Sequence, residues 1–179
     1  MLIGNDKLRL FFALWPTEEA RTQIAERTRT AVEAAGGRPV PPENYHVTLA
    51  FLGHVRISGV DEITRIMRTI RFKSFMLQLD RTGYWPRSKV AWLGSSSCPL
   101  ELDALEDEIW MKLEDLGFHR DNLNPYQPHV SLARSASSGL GMVLEQPVIW
   151  PVHAFGLVSS EPGEGAPVYT VLEQFRAGS

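Results

Sequence analysis

Hydrophobic and polar positions along this chain alternate between a strand period and a helix period. Leu8-Arg9-Leu10-Phe11-Phe12-Ala13-Leu14 is an apolar run with a charged entry and predicts a central strand. After Pro16 the period becomes helical. Thr17 can cap, Glu18 and Glu19 suit the positive end of the helix dipole, and Ala20, Ile24, Thr28, Ala31, Val32 and Ala35 recur at three- and four-residue spacing until Gly36-Gly37. Residues 38–44 are turn chemistry, with Pro39, Pro41 and Pro42. Tyr45 to Gly53 reads as a strand with a Gly stop. Ser58 is placed to cap a second helix, with Val60, Ile63, Met67 and Ile70 as its stripe. Phe75 to Asp80 predicts a strand, Thr82 to Ser88 a bend, and Lys89 to Leu93 another strand. Leu102, Leu105, Ile109, Leu113 and Leu116 form a helical stripe that stops at Gly117. A turn from Asn124 to Pro128 leads into a strand at His129, and Ser135 to Gly141 reads as a loop. Two last strands, Val148 to Ser159 and Val168 to Phe175, are joined by a polar loop from Glu161 to Pro167. The expected class is α+β, with two antiparallel-rich sheets and helices outside them.

Within this order one unit occurs twice. Leu8–Leu14, a helix, a Pro-rich turn and His46-Val47-Thr48-Leu49 are followed later by Lys89–Leu93, a helix, another Pro turn and His129-Val130-Ser131-Leu132. A two-fold repeat of strand, helix, turn and His-strand predicts two similar lobes facing each other, with residues 1–179 as a single bilobal domain.

The repeat gives the His-strands their meaning. Successive strand side chains point to opposite faces, so His46 and Thr48 share one face while Val47 and Leu49 take the core. His129 and Ser131 repeat the arrangement. A lone His-x-Thr is ordinarily a solvated or hydrogen-bonded structural pair; two copies in equivalent contexts are not. If the strands face each other across a groove, its floor carries two imidazoles and two hydroxyls. Near neutral pH one ring can be neutral and its twin charged. One then deprotonates a nucleophile while the other protonates a leaving group, and the hydroxyls hold phosphate oxygens as charge builds. In-line displacement at a phosphodiester suits this set, a strained 2′,3′-cyclic phosphate best of all. Arg134 follows His129 by five residues, so alternation sends it to the opposite face unless the strand bends; if it bends, Arg134 can pair with phosphate or stack on a base. Tyr84 and Trp85 read equally as a packed corner or as a base-stacking wall.

The other chemistries are thinly supported. No His-Glu-x-x-His or Cys-x-x-Cys spacing exists, and Thr and Ser are poor zinc ligands, so no metal or cofactor is expected. No Gly-x-Ser-x-Gly elbow is present. Cys98, the one cysteine, has no local His to activate it. It cannot form an internal disulfide, as suits a reducing cytosol. His54, His119 and His153 lack a following hydroxyl at the same spacing and receive no role. A net charge of −3 argues against coating nucleic acid through the overall field, but not against gripping one phosphate locally. No apolar run is long enough to span a membrane and no signal peptide is expected, so a cytoplasmic protein is anticipated; the sequence offers no clear oligomeric interface, and a monomer is expected.

These motifs resemble the 2H phosphoesterase superfamily. Arg9 to Leu14, Asn44 to Gly53, Trp85 to Gly94 and Pro128 to Arg134 together are similar to its bacterial RNA 2′,3′-cyclic phosphodiesterase branch, once called 2′–5′ RNA ligases. Ser131 stands where Thr is commoner. The resemblance implies a bilobal fold with a pseudo-two-fold axis through the cleft. It implies metal-free hydrolysis of a terminal 2′,3′-cyclic phosphate, on RNA or a nucleoside, to a 2′-phosphate. By position, His46 would be the general acid and His129 the general base; Thr48 and Ser131 would hold phosphate oxygens and Arg134 would contact substrate. Some relatives also join 2′,5′ linkages by the reverse reaction. Two alternatives remain at this point: a non-catalytic module binding nucleotides or RNA ends, and a phosphodiesterase for a small-metabolite cyclic phosphate.

Overall fold

The computed structural model describes residues 6–120 and 125–178. Asn124, the first residue of the turn expected before His129, lies outside the described residues. The chain runs β1 (Lys7–Leu14), α1 (Glu18–Ala35), β2 (Arg38–Pro39), a 3₁₀ turn (Pro42–Asn44), β3 (Val47–Arg56), α2 (Ile57–Met67), β4 (Phe75–Trp85), β5 (Val90–Gly94), α3 (Leu100–Glu114), β6 (His129–Arg134), β7 (Val143–Val152), β8 (Ala154–Glu161) and β9 (Val168–Arg176). α1 starts as its sequence dictates: the Thr17 hydroxyl accepts from the Ala20 amide at 3.2 Å, a cap worth about 1 kcal/mol.

The strands form one sheet in the order β7-β4-β5-β6-β3-β1-β8-β9, with β2 added against β6. All the described pairings are antiparallel. The two expected sheets are its two halves. They are joined through a single residue pair, Val47 of β3 opposite Val130 of β6. Those valines are the second residues of the two His motifs, so the repeat axis passes between them. The units β1-α1-β3 and β5-α3-β6 occupy matching places on either side.

The sheet is not flat. β7 and β8 are six strands apart along the path, roughly 29 Å if laid out at the usual inter-strand spacing. Yet only His153 separates them in sequence. The halves therefore fold toward each other. This corrects the expectation of one strand from Val148 to Ser159: His153 is an exposed break, and the chain crosses there from the outer strand of one half into the other. β7 tolerates Pro147 and Pro151 because it is an edge strand.

Two further expectations are corrected. Ser58 does not cap α2. Arg56 occupies the cap position and makes no side-chain cap bond, and Ser58 lies within the first turn. Thr82 to Trp85 are not a bend but the end of β4, paired with Val90–Leu93 of β5; only Pro86 to Lys89 turn. Aromatic side chains on a hairpin gain cross-strand contacts that a bend would deny them.

The main core lies on the helix side of the sheet. Leu10, Phe12 and Leu14 of β1, Val47 and Leu49 of β3, Val130 and Leu132 of β6, and Ile24, Leu105 and Ile109 of the helices belong to one buried cluster spanning both halves. The face opposite, at β3 and β6, carries the chemistry. No helix among the described residues is long and apolar enough to cross a membrane.

Candidate active site

His46 immediately precedes β3 and His129 opens β6. Tyr45, Val47 and Leu49 are buried while His46 and Thr48 are only partly so, and Val130 and Leu132 alternate with His129 and Ser131 in the same way. Because Val47 and Val130 are antiparallel partners, the register puts His46 across from Ser131 and Thr48 across from His129. Cross-strand neighbours lie about 5 Å apart and alternate residues about 7 Å apart along a strand. The four side chains thus outline a patch of phosphate size, each imidazole beside the other strand's hydroxyl.

Both rings are held the same way. His46 Nδ1 lies 2.7 Å from the Asn44 carbonyl and His129 Nδ1 lies 2.8 Å from the Gln127 carbonyl. A carbonyl only accepts, so Nδ1–H donates and Nε2 is the nitrogen left for chemistry. Trp15 stacks on the His46 ring at 5.2 Å and 10°, with Phe11 and Tyr169 against its other sides. Trp85 meets His129 edge-on at 4.5 Å and packs on Trp92. Burial, only partly offset by the Asn44 carbonyl, brings the His46 pKa down to about 4, with Arg134 and His129 adding to the fall. Burial likewise lowers His129, helped by Arg134.

Arg134 reaches the cleft through a bulge. Trp92 pairs with Ser131 but Ala91 pairs with Ala133, so Leu132 is the extra residue. Leu132 and Ala133 are both buried and Arg134 is exposed. The alternation slips by one, which is the bend the sequence left open. β3 bulges at the same motif position, since Ala13 pairs with Thr48 and Phe12 with Ala50. The repeat is broken at the next equivalent place. Where β6 has Arg134, β3 has Phe51, 44% exposed, with the Arg9 guanidinium 4.7 Å over its ring.

Two cavities flank the patch. One, of about 310 Å³, gathers His46, Ser131, Arg134, Arg38, Tyr169 and the loop from Pro162 to Pro167. The other, of about 570 Å³, lies beside His129 and is walled by Phe51, Trp85, Trp110 and Tyr126. Thr48 lines neither; it sits between them, and Tyr126 Oη donates to its backbone carbonyl at 3.0 Å. Of the two bend aromatics, Trp85 faces the cleft while Tyr84 packs behind it, donating to the Ala136 carbonyl. His54, His119 and His153 are exposed, and none of them lines either cavity. Burial pushes the Cys98 thiol up to about 11, with Asp103 and Glu106 adding, which leaves it protonated and unreactive. Among the described residues no group of three or more His, Cys, Asp or Glu is placed to hold a metal ion.

The sequence reading missed the packing around His46. Phe11 and Trp15 were within its reach, because Phe11 in β1 and Trp15 just after it fall at alternate positions to Leu10, Phe12 and Leu14. Tyr169 was not, since it arrives from the last strand.

Residues 14–92 match the family described as LigT-like phosphoesterase. The RNA 2′,3′-cyclic phosphodiesterase of Escherichia coli is 34% identical over 96% of this chain and 97% of its own. That of Thermus thermophilus is 32% identical over 94% and 89%. The crystal structure of Escherichia coli LigT complexed with 3′-AMP superposes with a TM-score of 0.88 at 32% identity, covering 97% of this chain and 99% of that one. With such similarity across nearly its whole length, the chain belongs to the LigT-like phosphoesterase family.

Proposed function

We propose that the protein hydrolyses 2′,3′-cyclic phosphates at RNA ends to 2′-phosphates, using His46 and His129 as an acid–base pair and no metal ion. The observation that carries the reading is the Val47–Val130 pairing, which sets each imidazole beside the opposite hydroxyl. The names of the relatives support the substrate. Each half supplies one histidine, so the site is complete within a monomer. In the proposed step, His129 Nε2 takes a proton from water as the water oxygen attacks phosphorus. The P–O3′ bond breaks in line, and His46 Nε2–H protonates the departing 3′-oxygen. Thr48 and Ser131 donate to the nonbridging oxygens, and Arg134 pairs with the growing charge. With an RNA 5′-hydroxyl in place of water, the same displacement would form a 2′,5′ linkage and release the 3′-hydroxyl.

The test is incubation with a short RNA ending in 2′,3′-cyclic phosphate, with EDTA present, and identification of the end formed. A 2′-phosphate supports the reading. A 3′-phosphate reverses which oxygen leaves. No product, with the RNA still bound, makes the protein a binding module, and turnover of small cyclic phosphates alone makes the substrate a metabolite. The acid–base split has its own test. A substrate with sulfur replacing the 3′-bridging oxygen needs little protonation on departure, so it should rescue His46→Ala and not His129→Ala; the opposite pattern exchanges the roles.

The pH dependence has a definite sign. The productive form holds one neutral and one charged ring, so its population peaks between the two pKa values. Both are below 6.5 in the free protein, His46 near 4. kcat/KM reports free enzyme and should therefore peak below pH 6.5. A bound phosphodiester anion raises both rings, so kcat should peak at higher pH than kcat/KM. A kcat/KM maximum above pH 7 would mean the rings are not held neutral in the empty cleft.

A further inference from the structure

We propose that the cavity beside His46 holds a second phosphate, the internucleotide phosphate on the 5′ side of the cyclic end, with Arg38 as its ligand. This rests on the hydrolase reading above and narrows its substrate to an RNA strand, as opposed to a free nucleoside cyclic phosphate.

Arg38 of β2 and Arg134 of β6 are direct antiparallel partners. Like charges in that position, with Cβ atoms about 5 Å apart, destabilise a sheet. The chain nevertheless builds the pairing with care. Gly36 and Gly37 turn at φ 64° and 76°, which suits glycine. A Cβ on Gly37 would lie 2.5 Å from the carbonyl oxygens of Arg134 and Ser135, so only glycine lets β2 press this closely on β6. Beyond the pair, the Val40 amide donates to the Leu132 carbonyl at 2.8 Å.

Neither arginine has an ion-pair partner among the described residues. The ion pairs among the described residues involve Arg68 and Arg120. Arg38 and Arg134 are both exposed, and both line the cavity that contains His46 and Ser131. The two cations stand on different strands: Arg134 is on β6, the strand that carries His129 and Ser131, while Arg38 is one strand away from them, on β2. One guanidinium at the reacting phosphate and a second just beyond it is the pattern two consecutive phosphates of one strand would fill, each a match for the arginine fork. The loop from Pro162 to Pro167 and Tyr169 close the far wall, so a bound phosphate there is partly withdrawn from water.

The test compares adenosine 2′,3′-cyclic phosphate with a diadenosine dinucleotide carrying the same cyclic end, in the wild type and in Arg38→Gln. A charge-assisted contact of ordinary strength should give the wild type a preference for the dinucleotide of roughly ten- to a hundredfold in kcat/KM. That ratio should fall toward one in Arg38→Gln, and its salt dependence should flatten. A dinucleotide with an uncharged methylphosphonate link should behave like the mononucleotide. Equal kcat/KM for the two natural substrates in the wild type, or a preference that survives Arg38→Gln or the methylphosphonate, would overturn the proposal. If the wild type turns over neither compound, the hydrolase reading fails separately. The subsite is then read from equilibrium binding of adenosine 2′-phosphate and the dinucleotide 2′-phosphate, where the same ratio is expected and equal affinities overturn it.

Discussion

Replacing either His46 or His129 by alanine should lower turnover of an RNA 2′,3′-cyclic phosphate by at least about a hundredfold, the lower end of what general acid–base catalysis supplies. The two losses should be similar, because the sites are built alike: the same backbone carbonyl two residues upstream fixes Nδ1, and the same nitrogen is left facing the cleft. The double variant should lose little more than the worse single one, since the remaining ring has no partner to complete the proton transfer. His46 also packs against Phe11, Trp15 and Tyr169, so alanine there leaves a void. His46→Asn separates the effects. Its amide can still donate to the Asn44 carbonyl, but it has no group at Nε2, and it should be as inactive as alanine while melting closer to the wild type. Near-full activity in any of these variants would end the acid–base reading.

The repeat explains why so much of this site could be read before the fold. Apolar alternation around His46 and His129 fixes which face each side chain takes, and two copies of one unit imply an axis between them. Three things escaped. The first is the single Val47–Val130 pair that turns two sheets into one; strand patterns give faces, not partners. The second is the bulge at Leu132. A bulge has no residue signature here, as Leu49 and Leu132 look like ordinary core positions, yet it decides where Arg134 points. The third is the crossover at His153, which no Gly or Asn announces and which carries the chain from the outer strand of one half into the other. Arg38 is a fourth case of a different kind. It sat in a stretch assigned to turn chemistry, and only its pairing with Arg134 gives it meaning. The residue difference at the fifth position after each histidine, Phe51 against Arg134, stands in the sequence, but only the matching bulges in β3 and β6 show that the two positions are equivalent.

That asymmetry sets the second large effect. Arg134→Ala should reduce kcat/KM by roughly a hundred- to a thousandfold, the range for removing a preorganised donor from developing charge. Arg134→Lys should recover only part of this, because a point charge cannot make the two parallel bonds of a guanidinium to phosphate. The loss should come with a shift in pH dependence. Arg134 lowers both histidines by charge, so its removal raises both pKa values, and the kcat/KM optimum should move toward higher pH. Lysine, which keeps the charge, should leave the optimum near that of the wild type while still lowering the rate. An arginine that merely capped the end of β6 would move neither the optimum nor the Lys-to-Ala ranking. An unchanged rate in Arg134→Ala would reduce the Leu132 bulge to a packing feature and leave phosphate recognition to Thr48 and Ser131 alone.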